Sequence, residues 1–236
     1  MGKGQSFAKT ASQLAAIGRR FYARGWALGT SGNFSTVISL RPLRLAITAS
    51  SVAKGALRTS DILQCDEHGR VVGSGSGKPS AETLLHVEIA RRRRAGAILH
   101  THSVWSTMLS DGQDEQGQDG QDKHALALDR PGLVITGYEM LKGLSGVMSH
   151  EHREFVPILD NDQDMPQLAR RVGDTLERCP EAHAFLLRRH GLYTWGDTLP
   201  DAERHVEILE FLFEAVGRTQ GRSNVARAKG GQSWPL

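Results

Sequence analysis

The spacing of apolar residues along the chain predicts helices that alternate with short strands. In the first helix, apolar residues recur every three or four positions until Gly25, which is a typical helix stop. Later helices are expected to start at Ser80, a favourable N-cap, and near Pro166 and Pro200, which suit a first helical turn. The pattern predicts four helices, at 6–24, 80–94, 166–178 and 200–216.

Short apolar or alternating runs between these helices predict strands, and two of them flank the turn 67–69 as a hairpin. Because no linker divides the chain, we expect one α/β domain over 1–218, with helices flanking a central, mostly antiparallel sheet. The polar segment 219–236 is expected to fray, and the insert 111–123, which has no apolar residue, is expected to be a solvated loop. The predicted strands cover 36–40, 43–48, 62–66, 70–73, 97–102, 133–136, 156–159, 183–187 and 192–195.

The composition indicates a folded domain and narrows the classes of partner. Of 236 residues, 39% are hydrophobic and 23% are charged, which is typical of globular proteins. No apolar run approaches the roughly 18 residues of a membrane span, and the N-terminus lacks a signal-peptide core. We therefore expect a cytoplasmic protein with no membrane partner. The basic clusters, at 91–94 and in the tail, lack the interleaved aromatic residues typical of nucleic-acid binding, so no nucleic-acid partner is expected.

The segment AILHTHS carries a candidate metal site. Residues two apart on a strand point to the same face, so His100 and His102 can bind one ion, and imidazole suits zinc. Catalytic zinc typically has three protein ligands, and the third candidate is His190, at a His-Gly turn in FLLRRHGLYTWG. In isolation this histidine also fits a purely structural turn. A second pair, in SHEHREF, has polar neighbours that favour a surface loop, and His86 and His183 are expected to be surface or packing residues.

Two segments rich in Gly, Ser and Asn offer donors for a phosphate group. Backbone amides and short hydroxyl side chains bind phosphate in exposed turns, although the same residues also form ordinary turns. A third segment, GSGSGKPS, is not a P-loop, because Pro79 follows the lysine where Ser or Thr is required. The candidate phosphate-binding residues are Ser31, Gly32 and Asn33 in GTSGN, and Ser50, Ser51 and Lys54 in ITASSVAKG.

With these motifs the chain resembles the class II aldolase family over about residues 25–216. The motifs that carry the resemblance are, in order, GTSGNFS, KPSAETLLH, HTHS, GYEMLKG and RRHGLYTWG. The resemblance implies His100, His102 and His190 as the ligands of one zinc ion per subunit. It also implies a homotetramer with active sites near the subunit boundaries. EMLKG together with RRHGLYTWG favours a dehydratase branch of the family over the sugar-phosphate aldolases.

The dehydratase branch implies that water is removed from a phosphorylated ketose, 5-methylthioribulose 1-phosphate, to give a diketone phosphate in methionine salvage. Such a reaction needs a metal ion to stabilise negative charge and a carboxyl group to move protons. By resemblance, Glu139 in GYEMLKG is the catalytic acid/base, and Glu82 in PSAE, the position that the aldolases use, is the secondary candidate. The alternatives are a class II sugar-phosphate aldolase and a non-enzymatic protein that binds zinc or nucleic acid.

Overall fold

The computed structural model describes residues 7–73, 77–111 and 131–230. Within these residues helices and strands alternate along the chain. The helices are α1 (Phe7–Ala23), α2 (Thr83–Arg93), α3 (Val104–Asp111), α4 (Met165–Arg178) and α5 (Leu199–Gly230). The strands are β1 (Asn33–Leu40), β2 (Leu43–Thr48), β3 (Ile62–Asp66), β4 (Ala97–Thr101), β5 (Gly132–Ile135), β6 (Glu154–Leu159), β7 (Ala184–Leu187) and β8 (Gly191–Gly196). Short 3₁₀ helices lie at Lys54–Ala56, Thr59–Asp61 and Glu139–Gly143.

The strands form one sheet in the order β3-β2-β1-β4-β8-β7-β6-β5. Neighbouring strands are antiparallel except β6 and β7, which are parallel. The predicted fold class, α/β with a mostly antiparallel sheet, is confirmed. The strands β4 and β8 lie at the centre of the sheet, and because they are antiparallel, β8 begins where β4 ends. This junction is where the predicted metal ligands lie.

Helices cover both faces of the sheet because buried side chains alternate between the two faces along each strand. On one face Ile98 and Tyr193 pack in a core shared with α2 and α4. On the other face Leu99 packs with α1 and the start of α5. The alternation therefore turns His100, two residues after Ile98, toward α2, and turns Thr101 toward α5.

The start of α2 differs from the prediction. The helix begins at Thr83, with Glu82 rather than Ser80 as its N-cap, and the Glu82 side chain makes no capping bond. Ser80 closes a preceding turn instead, because its Oγ accepts a hydrogen bond from the Glu82 backbone N–H at 3.2 Å. The Glu82 carboxylate is consequently free for other contacts.

Three other segments also differ from the prediction. The short helix α3 follows directly on the histidine pair, and its eight residues are too few for a clear helical pattern. The predicted hairpin forms, but its second strand is reduced to a single bridge between Cys65 and Val71. The helix α5 continues to Gly230, into the segment predicted to fray, because Arg, Ala and Lys there favour a helix.

Part of the chain lies outside the described residues, including 112–123 of the predicted solvated insert and the last residues of the tail. Among the described helices, none is long and apolar enough to cross a membrane.

Candidate active site

Three neighbouring strands place side chains in one row across the sheet. The pairing of β1 with β4 sets Asn33 opposite His100, and the pairing of β4 with β8 sets His100 opposite Tyr193. The Tyr193 ring stacks on the His100 ring, with 3.9 Å between ring centroids and 11° between planes. Because His100 is fully buried, packing holds its ring in one orientation.

The three predicted metal ligands converge at the end of this row. His100 Nε2 lies 2.8 Å from His102 Nε2 and 3.3 Å from His190 Nε2. His102 directly follows β4, where its backbone N–H donates to the Trp26 carbonyl oxygen at 2.7 Å. His190 lies in the turn between β7 and β8. Three imidazole nitrogens thus face one point from two strand ends.

The chemistry of these nitrogens fits a divalent metal ion. His100 Nδ1 lies 2.9 Å from the Leu192 carbonyl oxygen, which can only accept, so Nδ1 carries the hydrogen and Nε2 keeps its lone pair. Burial lowers the pKa of His102 to about 3 and also lowers the pKa of His190, which keeps these rings neutral. Neutral imidazole is the form that binds metals. A cation among the three rings would remove the repulsion between their lone pairs.

Gly191 permits the close approach of the two strand ends. A Cβ at this position would overlap the carbonyl group of Thr101 and would lie 3.3 Å from Cε1 of His100. Only glycine leaves room there, so β8 can begin directly beside the end of β4. The His-Gly pair in the sequence motif therefore sets the position of His190.

Glu82 is the carboxylate that the fold brings to the histidines. Its Oε1 lies 3.2 Å from His190 Nε2, and its Oε2 lies 3.7 Å from His100 Nε2. The side chain is 16% exposed, so its negative charge is only partly screened by solvent. A divalent cation at the histidine cluster would be stabilised by this charge.

A series of hydrogen bonds that runs from Ser35 through His86 and Asn33 orients the Glu82 carboxylate. Asn33 Nδ2 donates to Glu82 Oε2 at 2.5 Å, and Asn33 Oδ1 lies 2.5 Å from His86 Nε2. Burial lowers the pKa of His86 to about 3, so its neutral ring has one hydrogen. With that hydrogen on Nε2, the ring donates to Asn33 and accepts through Nδ1 from Ser35 Oγ, 2.7 Å away.

The expectation that His86 is a surface or packing residue was incomplete. It is fully buried, but both of its ring nitrogens make polar contacts, and the contact of Nε2 leads through Asn33 to Glu82. The available signal was its position four residues after Glu82 at a helix start, a spacing that places two side chains on one helix face.

His102, His190 and Glu82 line a cavity together with the two predicted phosphate-binding loops. All six predicted loop residues line it: Ser31, Gly32, Asn33, Ser50, Ser51 and Lys54. Gly32 has a φ of 76°, and a Cβ there would lie 2.7 Å from the carbonyl oxygen of His100. Glycine therefore allows the first loop to contact β4 at His100.

Lys54 adds positive charge to the cavity and also joins the two loops. Its Nζ donates to the carbonyl oxygens of Thr30 and Val52, each at 3.0 Å. Burial lowers the pKa of Lys54 to about 8, although the nearby Glu82 charge acts to raise it. The group is still mainly protonated at neutral pH, and its charge suits an anionic substrate.

Glu139 lies apart from this cavity in the single chain. It begins the 3₁₀ helix Glu139–Gly143, its side chain is 72% exposed, and Lys142 Nζ donates to its Oε1 at 2.7 Å. The hydrogen bond from Lys142 lowers the pKa of Glu139, which is opposite to the shift that a general acid needs. It is not among the described residues that line the cavity.

Comparison with known proteins gives the family. Residues 12–216 match the Class II Aldolase and Adducin N-terminal domain. The chain belongs to the class II aldolase family. Methylthioribulose-1-phosphate dehydratase from Methylococcus capsulatus is 42% identical over 216 residues, which cover 91% of this chain and 96% of that protein. The resemblance drawn from the five motifs is confirmed.

Two solved structures share the fold of this chain. YgbL from Klebsiella pneumoniae matches with a TM-score of 0.70 at 23% identity, over 91% of each chain. L-fuculose-1-phosphate aldolase from Thermus thermophilus matches with a TM-score of 0.67 at 23% identity, over 92% of this chain and 98% of that one. At these identities the likeness establishes the architecture alone.

Proposed function

We propose that the chain is a hydro-lyase that dehydrates 5-methylthioribulose 1-phosphate to 2,3-diketo-5-methylthiopentyl 1-phosphate, a step of methionine salvage. The observation that carries the proposal is the convergence of His100, His102 and His190 beside a cavity lined by Gly/Ser/Asn loops. The similarity to the Methylococcus dehydratase, which extends over nearly the full length of both chains, supports the choice of substrate.

The metal that we propose is zinc, one ion per subunit, with His100, His102 and His190 as ligands. Three histidines without a thiolate are typical of catalytic zinc sites, which keep a position open for substrate. Bound there, the ion would stabilise negative charge that develops on the carbonyl oxygen of the substrate. The Leu192 carbonyl and the Tyr193 ring hold His100 in the orientation that this role needs.

The phosphate group of the substrate is proposed to bind at the two loops. Several loop amides are already used, since the backbone N–H groups of Ser31, Ser50 and Lys54 donate to carbonyl oxygens of the same chain. The hydroxyl groups of Ser50 and Ser51 lie 3.4 Å apart and can both donate to a phosphate oxygen. The Lys54 ammonium group supplies the positive charge.

Dehydration requires a proton to leave C3 of the substrate and the hydroxyl group at C4 to depart as water. We assign this proton transfer to Glu139. Because Glu139 is exposed in one chain, we propose a homotetramer in which Glu139 of a neighbouring subunit reaches the cavity. The adjacent apolar side chain of Met140 is 37% exposed, and such a contact would cover it. Burial of Glu139 in that contact would raise its pKa toward neutrality, as general acid catalysis requires.

A second candidate function is the retro-aldol cleavage of a sugar phosphate. One observation favours it, namely that Glu82 rather than Glu139 lies beside the histidine cluster of the single chain. A carboxylate at that position would serve cleavage of the C3–C4 bond, and two smaller fragments would result.

The basic run at 91–94 gives no support to a nucleic-acid-binding function. Arg91 pairs with Glu67, and Arg92 pairs with Glu177 of α4. The Arg93 guanidinium lies over the Trp195 ring, 5.1 Å from its centroid. These side chains are therefore engaged in holding α2 to its surroundings.

Mass spectrometry of the protein incubated with zinc and 5-methylthioribulose 1-phosphate tests the proposal. We expect a single product that is lighter than the substrate by one water. Dihydroxyacetone phosphate in its place would identify retro-aldol cleavage of the C3–C4 bond. The variant His100→Ala, purified in the same way, should form neither product and controls for contaminating enzymes.

A further inference from the structure

A second cluster of metal-binding side chains lies outside the cavity, beside the parallel strands β6 and β7. It consists of His152, Glu154 and His183, whose nitrogen and oxygen atoms lie within 4.8 Å of one another. Glu154 is the first residue of β6, His152 lies just before that strand, and His183 directly precedes β7. The proposed reaction uses none of these residues.

The Glu154 carboxylate is at the centre of the cluster. Its Oε2 lies 2.9 Å from His152 Nε2 and 2.9 Å from His183 Nδ1. Its other oxygen, Oε1, accepts the backbone N–H of His183 at 3.0 Å. Oε1 is thereby occupied within the fold, and Oε2 is the atom presented to both imidazole rings.

The His183 ring is oriented in the way that protein metal ligands are. Its Nε2 lies 2.8 Å from the carbonyl oxygen of Ser145, so Nε2 carries a hydrogen and Nδ1 is the atom directed at the cluster. His205 steadies the same serine, because its Nε2 accepts the Ser145 backbone N–H at 3.0 Å. A metal-bound histidine typically donates its other N–H to a carbonyl or carboxylate in this manner.

The cluster is open enough to admit an ion. The Glu154 side chain is 1% exposed, but those of His152 and His183 are 30% and 17% exposed. Without a metal, hydrogens on the two imidazole rings satisfy Oε2. A divalent cation can replace such hydrogens, because metal binding releases protons from its ligands.

We propose that His152 Nε2, Glu154 Oε2 and His183 Nδ1 form a second metal site, for a divalent cation of the zinc class. Two imidazoles and one carboxylate suit late divalent metals better than magnesium or calcium, which prefer oxygen ligands throughout. The site would join the segment before β6 to the start of β7. Through the Ser145 carbonyl it would also fix the segment that follows the 3₁₀ helix of Glu139.

Zinc binding to variants of the full chain, measured by equilibrium dialysis and metal analysis, tests this proposal. The double variant His100→Ala/His102→Ala removes the proposed catalytic site, and we expect it to bind one zinc ion per chain. Adding His152→Ala should weaken this remaining binding by more than the roughly 10–100-fold typical of losing an outer-shell partner. His150→Ala in the same background is the matched control, because His150 is 55% exposed and lies outside the cluster.

The outcomes separate this proposal from that of the catalytic site. If the double variant takes up no zinc, or if His152→Ala and His150→Ala bind it equally, the second site does not exist. Loss of the first zinc ion in the His100 variant is a separate result and decides only the catalytic site. Circular dichroism of each variant confirms that the fold is retained, and the visible spectrum of a cobalt-substituted double variant provides a second readout of the same ligands.

Discussion

Asn33 Nδ2 donates a hydrogen bond to Glu82 Oε2 at 2.5 Å, and this contact fixes the direction of the carboxylate beside His100 and His190. The orientation of the Asn33 amide is set in turn by His86, whose Nε2 lies 2.5 Å from Asn33 Oδ1. A reversed amide would place two hydrogen-bond donors against each other at His86. The direction of Glu82 is therefore determined by a ring that does not touch the cavity.

Removal of the His86 ring is expected to impair turnover without removing the metal. In His86→Leu the Asn33 amide is free to rotate, and kcat should fall by about 10–100-fold while KM and zinc content change little. His86→Gln, whose amide can still donate to Asn33, is expected to recover much of the rate. Steady-state kinetics with metal analysis measures both variants, and equal losses in the two would indicate a packing effect instead.

The roles of the two glutamates are distinguished by variants that keep their shape. Glu139→Gln should retain zinc and lose on the order of 10²-fold or more in turnover, because the proton-transfer group is gone. If Glu82→Gln is inactive and Glu139→Gln is nearly as active as the wild type, the catalytic carboxylate is Glu82.

The origin of Glu139 is tested by mixing subunits. Coexpression of His100→Ala with Glu139→Gln should restore partial activity, since some sites would combine an intact histidine cluster with an intact Glu139 from another subunit. Each variant expressed by itself serves as the control. Mixed assemblies no more active than the separate variants would show that both residues act from one chain.

The histidine ligands are expected to act together in holding zinc. His190→Ala removes one of three converging nitrogens, so zinc affinity and activity should both drop sharply. The dehydrated product should return when zinc is added in excess only if the two remaining histidines still bind the ion. Full occupancy of the catalytic site in a variant lacking all three histidines would contradict the assignment.

Two glycines of the first predicted phosphate-binding loop give a matched pair of variants. Gly29→Ala, at a φ of 58°, meets no atom within 4 Å and should cost only the roughly 1 kcal/mol of backbone strain. Gly32→Ala has a similar φ, 76°, but its Cβ would press on the His100 carbonyl oxygen. We expect KM for the phosphorylated substrate to rise in Gly32→Ala and to change little in Gly29→Ala.

The buried carboxyl group of Glu210 should make stability depend on pH. Burial raises its pKa from 4.5 to about 7, while Thr101 Oγ1 donates to its Oε1 at 2.8 Å. Below pH 4.5 the Glu210 carboxyl group is protonated in both the folded and the unfolded chain, so its ionisation takes nothing from the free energy of unfolding. Between pH 4.5 and about 7 this carboxyl group ionises readily only in the unfolded chain. The unfolded state is stabilised as a result, and the free energy of unfolding should fall by about 3 kcal/mol over this range.

Urea unfolding of the wild type and Glu210→Gln across pH 4–8, with a chelator present, measures this loss. As pH rises, the free energy of unfolding should fall more for the wild type than for Glu210→Gln, which has no carboxyl group to ionise at this position. Parallel curves for the two proteins would mean that Glu210 does not titrate in this range.

Local patterns were sufficient to predict β4 and to bring His100 and His102 to one side of the sheet, although the strand ends at Thr101, one residue earlier than predicted, and His102 directly follows it. The turn at His190 was also predicted, but its distance from β4 depends on the contact of Gly191 with Thr101, which no local pattern contains. The link from His86 to Glu82 passes through Asn33, on a strand paired with β4, so it depends on tertiary structure. Helix propensity likewise did not predict the start of α2, because Ser80 forms a turn before the helix and does not act as its N-cap.

The close contact of Gly191 with Thr101, which leaves no room for a side chain, limits how this scaffold can be redesigned. Any residue other than glycine there would force the β7–β8 hairpin away from Thr101 and carry His190 with it. Grafted hairpins or insertions at this turn should therefore move His190 and abolish metal binding, so they cannot be used to alter substrate specificity. The loops at 29–33 and 49–54 contact the cavity without carrying a histidine ligand, which makes them the positions where an altered substrate range can be selected in a mutant library.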